Sequence, residues 1–272
     1  MKISFETALI TGSSRGLGRA IAVKLAQEGV KKIAVHYLTS KDEAEKAVTH
    51  VRDAGAEGFL VQGDTSDPKR AGEIVEEASQ KLGGCDVFVQ SVVPRLEHIY
   101  EHTLATEVPL AKWQLAFDTQ ARAFFIGAPA AAKHMTRGGR ILALTYTPGG
   151  VTGGWQPWVG MGSAKAALES MCRYFAVALA RQGITVNAVS PGASDETTLI
   201  GQTPKEVQEA LKDWAVAGWT PMRRRVAPSD IANVCALLCS DEASFVTGQT
   251  IAVDGGSSLM NPDFPLALQV PK

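Results

Sequence analysis

The residues best placed to do chemistry come in two sets. The first is Thr11, Gly12, Gly16 and Gly18, which follow the apolar run Ala8–Leu9–Ile10 and precede the apolar positions Ile21, Ala22 and Leu25. A strand that ends in glycines and passes straight into a helix can turn sharply and bring its backbone close to a ligand. The free N–H groups at the start of that helix suit a pyrophosphate. The spacing is G-x-x-x-G-x-G rather than G-x-G-x-x-G, so the strand–turn–helix context is what points to a nucleotide. The second set is Trp158, Met161 and Lys165, spaced i, i+3 and i+7, which places them on one face of a helix. Tyr146 precedes that helix and carries a phenol. Methionine cannot donate a proton, and an indole donates one hydrogen bond without being a general acid.

Short apolar runs alternate with amphipathic stretches along the chain. Strands are expected at Lys32–Tyr37, 59–61, 87–89, 141–144, 185–189 and Thr250–Val253. Helices are expected at 41–54, after the cap Ser66–Asp67–Pro68, and at 113–135, 158–180, 204–217 and 229–238. This alternation predicts a parallel sheet covered on both faces. Pro94 to Pro109 is irregular and polar, with His98, Tyr100, Glu101 and His102; it lies near a substrate or is a plain surface connection. Thr147 to Gly154 reads as a glycine-rich loop. With 272 residues, 45% of them hydrophobic, the chain can build one large core. A single domain is expected over 1–260, including a substrate loop and helix near 193–220, with 261–272 as a tail. The net charge of -1 gives no general attraction to nucleic acid or membrane, and neither is expected as a partner. Cys85, Cys172, Cys235 and Cys239 form no metal array or disulfide framework, and no metal is expected. Free thiols, no signal-like start and no apolar run of membrane length predict a cytoplasmic protein.

Several motifs in order then resemble the short-chain dehydrogenase/reductase family. They are the glycine pattern, Asp64 after strand three, Lys165, Pro191–Gly192, Thr247–Gly248–Gln249 and Asp254–Gly255–Gly256. The resemblance implies a Rossmann-like, doubly wound parallel sheet of seven strands in three α/β/α layers. It also implies a nicotinamide cofactor and a homodimer or homotetramer packed through the two long helices. The cofactor-binding positions are then Gly12, Ser14, Arg15, Gly16, Leu17 and Gly18, Tyr37 and Ser40, Asp64 and Thr65, Lys165, and Pro191 and Gly192. An acidic residue ending strand two would repel a 2′-phosphate, but His36–Tyr37–Leu38–Thr39–Ser40 has none. Arg15 either reaches that phosphate or is a solvated loop charge. NADP is the cofactor expected.

The catalytic positions depart from the family pattern. The residue four before Lys165 is Met161, where the family usually has tyrosine. Tyr146 aligns with the family's serine, and Gln120 with its asparagine. Met161–Gly162, Ala164–Lys165–Ala166, Arg173–Tyr174 and Leu144–Thr145–Tyr146 look like the enoyl-acyl-carrier-protein reductase branch. That branch has tyrosine seven before the lysine, where this chain has Trp158. The candidate catalytic set is Lys165, Tyr146, Trp158, Met161 and Gln120. The expected reaction is NADPH-dependent reduction of a conjugated C=C bond in an apolar or aromatic small molecule, with a non-standard proton donor. Imine or iminium reduction, a non-redox isomerase or cyclase with a cavity of Trp155, Trp158, Trp214 and Trp219, and an inactive cofactor-binding subunit remain open. Arg95 and His98 line the substrate mouth or are merely solvated; so too Asp195 and Glu196 beyond Pro191–Gly192.

Overall fold

A computed structural model describes residues 1–146, 156–192, 194, 205–206, 208–209 and 220–260. The expected glycine-rich loop, the tail, and Trp155, Trp214, Trp219, Asp195 and Glu196 lie outside the described residues. So does most of the helix expected at 204–217, of which Lys205, Glu206, Gln208 and Glu209 are helical.

The order is β1 (Thr7–Ile10), α1 (Gly16–Gln27), β2 (Lys32–Tyr37), α2 (Lys41–Asp53), β3 (Glu57–Gln62), α3 (Pro68–Leu82) and β4 (Val87–Gln90). It continues with α4 (Leu96–Ile99), α5 (Leu110–Phe117), α6 (Ala123–Ala132), β5 (Gly139–Leu144), α7 (Val159–Leu179), β6 (Ile184–Pro191), α8 (Pro228–Cys239) and β7 (Thr250–Val253). The seven strands pair in parallel in the order β3-β2-β1-β4-β5-β6-β7. Every residue of β1, β4, β5 and β6 is buried, as strands covered on both faces require. Side chains alternate between two cores. Ala8, Ile10, Val87 and Val89 join the core under α1, α2 and α8, while Leu9 and Phe88 join the one under α3, α6 and α7. The fold is the Rossmann-like α/β architecture expected. Its strand order reverses between β1 and β4, where the carboxyl ends of the strands leave a ligand crevice.

Several elements differ from expectation: α4 lies in the segment expected to be irregular, β5 begins at Gly139 instead of Ile141, and two further differences have a clear cause. β3 begins at Glu57 instead of Phe59, because Glu57 and Gly58 pair with Lys32 and Ile33 despite carrying no apolar signal. The helix expected over 113–135 runs from Leu110 to Ala132 but is interrupted at Asp118–Arg122 by a wider, π-helical turn. Such a turn displaces one residue from the regular ladder, and here Gln120 lies within it. The four cysteines are buried free thiols. Among the described residues no helix is long and apolar enough to cross a membrane, and no cluster of side chains could hold a metal ion.

Candidate active site

The glycine turn at the end of β1 is built from backbone constraints. Gly12 and Gly16 have φ of 65° and 57°, in the left-handed region. A Cβ on Gly18 would lie 2.5 Å from the Gly12 carbonyl oxygen, so α1 approaches the turn as only glycine allows. A Cβ on Gly16 would meet nothing within 4 Å, so the space above the turn is open. This closed floor under an open mouth, at the start of a helix, fits a pyrophosphate.

Polar bonds tie the turn to its neighbours. The Ser91 N–H donates to Thr11 Oγ1 at 3.1 Å, and that hydroxyl donates to Gln90 Oε1 at 3.0 Å. On the other side, His36 Nδ1 accepts from the Gly12 N–H at 3.0 Å, and Nε2 lies 3.1 Å from the Gly63 carbonyl. These two partners assign the proton to Nε2 and make the ring neutral. Burial drives the His36 pKa down to about 4, so the neutral form holds at physiological pH. The Ser13 N–H donates to the His36 carbonyl, and Ser13 Oγ accepts from the His36 N–H at 3.1 Å. His36 therefore braces the ends of β1, β2 and β3 together. In the sequence His36 counts only as a non-acidic residue at the end of β2. The available signal was a histidine in a buried strand end beside a glycine turn.

The other expected cofactor positions lie along the same edge of the sheet. Ser14, Arg15 and Leu17 are half-buried beside the turn, and Arg15 makes no ion pair among the described residues. Tyr37 is buried, Thr39 is exposed and Ser40 precedes α2. Asp64 is exposed at the end of β3, its Oδ1 accepting from the Ser66 N–H and hydroxyl, and Thr65 is buried next to it. Pro191 ends β6, and the Gly192 N–H donates to Val253 O so closely that a Cβ would sit 2.8 Å from Asp254 Cα. Arg95, expected at the substrate mouth if not merely solvated, donates from Nη2 to Thr39 Oγ1 at 3.2 Å at the β2 end.

The catalytic candidates gather past β5. Lys165 is buried, and its Nζ donates to the Leu144 carbonyl at 2.6 Å. Burial lowers its pKa to about 7, with the Glu169 carboxylate opposing that fall. The Thr145 hydroxyl donates to the Glu169 carboxylate one turn further along α7. These two rungs fasten the end of β5 to α7 and so position Tyr146, the next residue. Tyr146 and Trp158 pack with their rings tilted at 59° and centroids 6.2 Å apart, and Tyr100 stands edge-on to Trp158, also at 6.2 Å. Trp158 and Met161 form a small apolar cluster with Leu96, Ile99 and Ala116, with Tyr100, Leu115 and Tyr146 packed against it. Burial raises the pKa of both tyrosines, keeping the phenols protonated and able to donate. Gln120 Nε2 lies 3.0 Å from both Met161 Sδ and Ala116 O, while its buried Oε1 has no partner among the described residues. The structure thus brings Tyr146, Trp158, Met161 and Gln120 together, with Lys165 anchored alongside. Tyr100 enters this cluster from the segment the sequence left as either substrate-facing or plain surface.

A groove between α1, α2 and α8 includes Gly16, Arg19, Lys24 and His50 but nothing from the aromatic cluster. Its cations are paired, Arg19 with Glu43 and Lys24 with Glu28, so it offers no comparable chemistry.

The sequence family described as enoyl-(acyl carrier protein) reductase matches residues 12–258. The chain is 35% identical over 261 residues to 1-cyclohexenylcarbonyl-CoA reductase from Streptomyces collinus, covering 95% of this chain and 89% of that one. It is 33% identical over 253 residues to a 3-oxoacyl-(acyl-carrier-protein) reductase from Staphylococcus epidermidis, covering 92% and 98%. The crystal structure of acetoin dehydrogenase from Salmonella typhimurium superposes with a TM-score of 0.81 at 29% identity, covering 95% of this chain and 100% of that one.

Proposed function

The chain belongs to the short-chain dehydrogenase/reductase family and is an oxidoreductase of it, and from that premise we propose that it reduces a conjugated C=C bond with NADPH. The observation that carries this reading is the protonated Tyr146 phenol held against Trp158, with no phenol at Trp158 or Met161 on the helix itself. The description of the matching family and the name of the Streptomyces relative both denote reduction of an unsaturated acyl group, which supports the same chemistry.

Gly12, Gly16 and the start of α1 would hold the pyrophosphate, Arg15 with Ser40 the 2′-phosphate, Asp64 and Thr65 the adenine, and Lys165 with Pro191 and Gly192 the nicotinamide end. Bound there, the cofactor supplies a hydride. Tyr146 donates a hydrogen bond to the carbonyl oxygen as it gains enolate charge, the point at which such a donor lowers the barrier, and a proton from water at the α carbon completes the reduction. Trp158 and Met161 form the apolar wall that orients a flat substrate, and the wide turn at Gln120 sets the distance between α5 and α7. The Leu144–Lys165 and Thr145–Glu169 bonds keep the phenol in place. Phe125, Tyr174 and Val177 are exposed on α6 and α7, which suits a homodimer or homotetramer formed through these helices. Buried free thiols suit a cytoplasmic setting.

NADPH stereospecifically deuterated at C4, incubated with enones, imines and quinones, tests the reaction. Deuterium at the carbon β to a carbonyl is the expected result. Deuterium only at an imine carbon would replace the reading with C=N reduction. Conversion with no deuterium incorporated and no NADP+ formed would replace it with non-redox chemistry.

A further inference from the structure

The end of β2 has no carboxylate from His36 to Lys41. Arg15 lies within the glycine turn that His36 braces, and its field reaches Glu43 in the first turn of α2. A second guanidinium arrives from elsewhere. Arg95 lies between β4 and α4, yet its Nη2 donates to Thr39 Oγ1 at 3.2 Å across 56 positions of sequence. In the sheet, β1 and its glycine turn lie between β2 and β4, so this bond links the two sides of the nucleotide crevice. The next residue, Leu96, is buried in the aromatic cluster, while Arg95 is directed away from that cluster towards β2. The charge on Arg95 is poorly neutralised. Glu97 stands 3.5 Å away, both side chains are about half exposed (47% and 61%), and His98 approaches the same carboxylate oxygen at 3.5 Å. Such a pair is weak in water and easily exchanged for a better anion.

We propose that Arg95 is a second cation for the 2′-phosphate of NADPH, acting with Arg15 and the Thr39 hydroxyl, and that it sets the preference for NADPH over NADH. This rests on the NADPH reading above. A phosphate at the Thr39 hydroxyl meets a guanidinium already held there, and the planar fork can offer it two parallel donors. Glu97 is the group displaced.

The test is calorimetric titration of the full-length protein and of Arg95→Ala and Arg95→Lys with NADPH, NADH, adenosine 2′,5′-bisphosphate and 5′-AMP. Arg95→Ala should weaken NADPH and the bisphosphate about tenfold, the scale of a partly exposed charged hydrogen bond. NADH and 5′-AMP should change by less than about twofold, and Arg95→Lys should fall between because it keeps the charge without the fork. Wild-type preference for NADPH with an unchanged ratio in Arg95→Ala would overturn this inference alone. Equal weakening of NADPH and NADH would also overturn it. Wild-type protein that binds NADH as tightly as NADPH would overturn the NADPH reading and this role with it.

Discussion

The two ends of the crevice are built on different principles. At the end proposed for the nucleotide, backbone groups of four strand ends are bonded to one another through Thr11, Ser13 and His36. At the end proposed for the substrate, rings and a thioether pack around Trp158, and a buried amide oxygen of Gln120 is left without a partner among the described residues. The first arrangement fixes backbone atoms and suits a ligand that never varies. The second fixes only a wall and one donor, and it can be re-cut by side-chain replacement while the sheet stays the same. Departures from the family pattern at Trp158, Met161 and Gln120 fall in the second region; in the first, Gly12, Gly16 and Gly18 keep the pattern, while Gln90–Ser91–Val92–Val93 stands where the family has Asn-Asn-Ala-Gly.

The sharpest break at the nucleotide end is Gly18→Ala. The new Cβ would stand 2.5 Å from the Gly12 carbonyl oxygen, so the turn must move. A displacement near 1 Å should lower kcat/KM for NADPH about 10²-fold. Steady-state kinetics at varied NADPH check this, and a loss under about threefold would show that the turn is not the cradle.

His36→Phe keeps a ring but leaves the Gly12 N–H and the Gly63 carbonyl unpaired. NADPH affinity should fall about tenfold, with about 1–3 kcal/mol of stability lost for each orphaned group. The pH dependence has a definite sign. The folded pKa of about 4 lies below the ordinary histidine value of 6.5, so the unfolded chain binds more protons between those values. Wild-type stability therefore falls as pH drops from about 6.5 to 4, and Phe at this position removes that contribution. Urea unfolding at pH 7 and pH 5 measures the difference; an identical slope in both proteins would contradict the neutral brace.

The smallest expected effect is at the other end. Trp158→Phe should raise substrate KM several-fold, on the scale of about 1–2 kcal/mol of lost ring contact, and leave the NADPH Kd within about twofold. A large change in NADPH affinity would erase the division between the two ends.

What could be read beforehand follows the same division. Buried parallel strands announce themselves as apolar runs, and a turn that only glycine can make announces itself as glycine, so the sheet and the glycine turn were legible. Glu57 and Gly58 were not read as strand because the ladder pairs their backbones and asks nothing of their side chains. The wide turn at Asp118–Arg122 leaves no period of its own in five residues. Tyr100 reaches Trp158, and Arg95 reaches Thr39, only because the fold brings together segments that are far apart in sequence. His36 acts through two backbone partners, which no motif records.

The central claim is that Tyr146 supports charge on the substrate while the nucleotide end works independently. Tyr146→Phe removes the hydroxyl and keeps the ring against Trp158. Measured under saturating NADPH, kcat for a conjugated enone should fall about 10²–10³-fold, corresponding to about 2.7–4 kcal/mol for one lost donor to an oxyanion. The NADPH Kd, titrated on the same sample, should stay within about twofold. A kcat within about threefold of wild type would contradict the account.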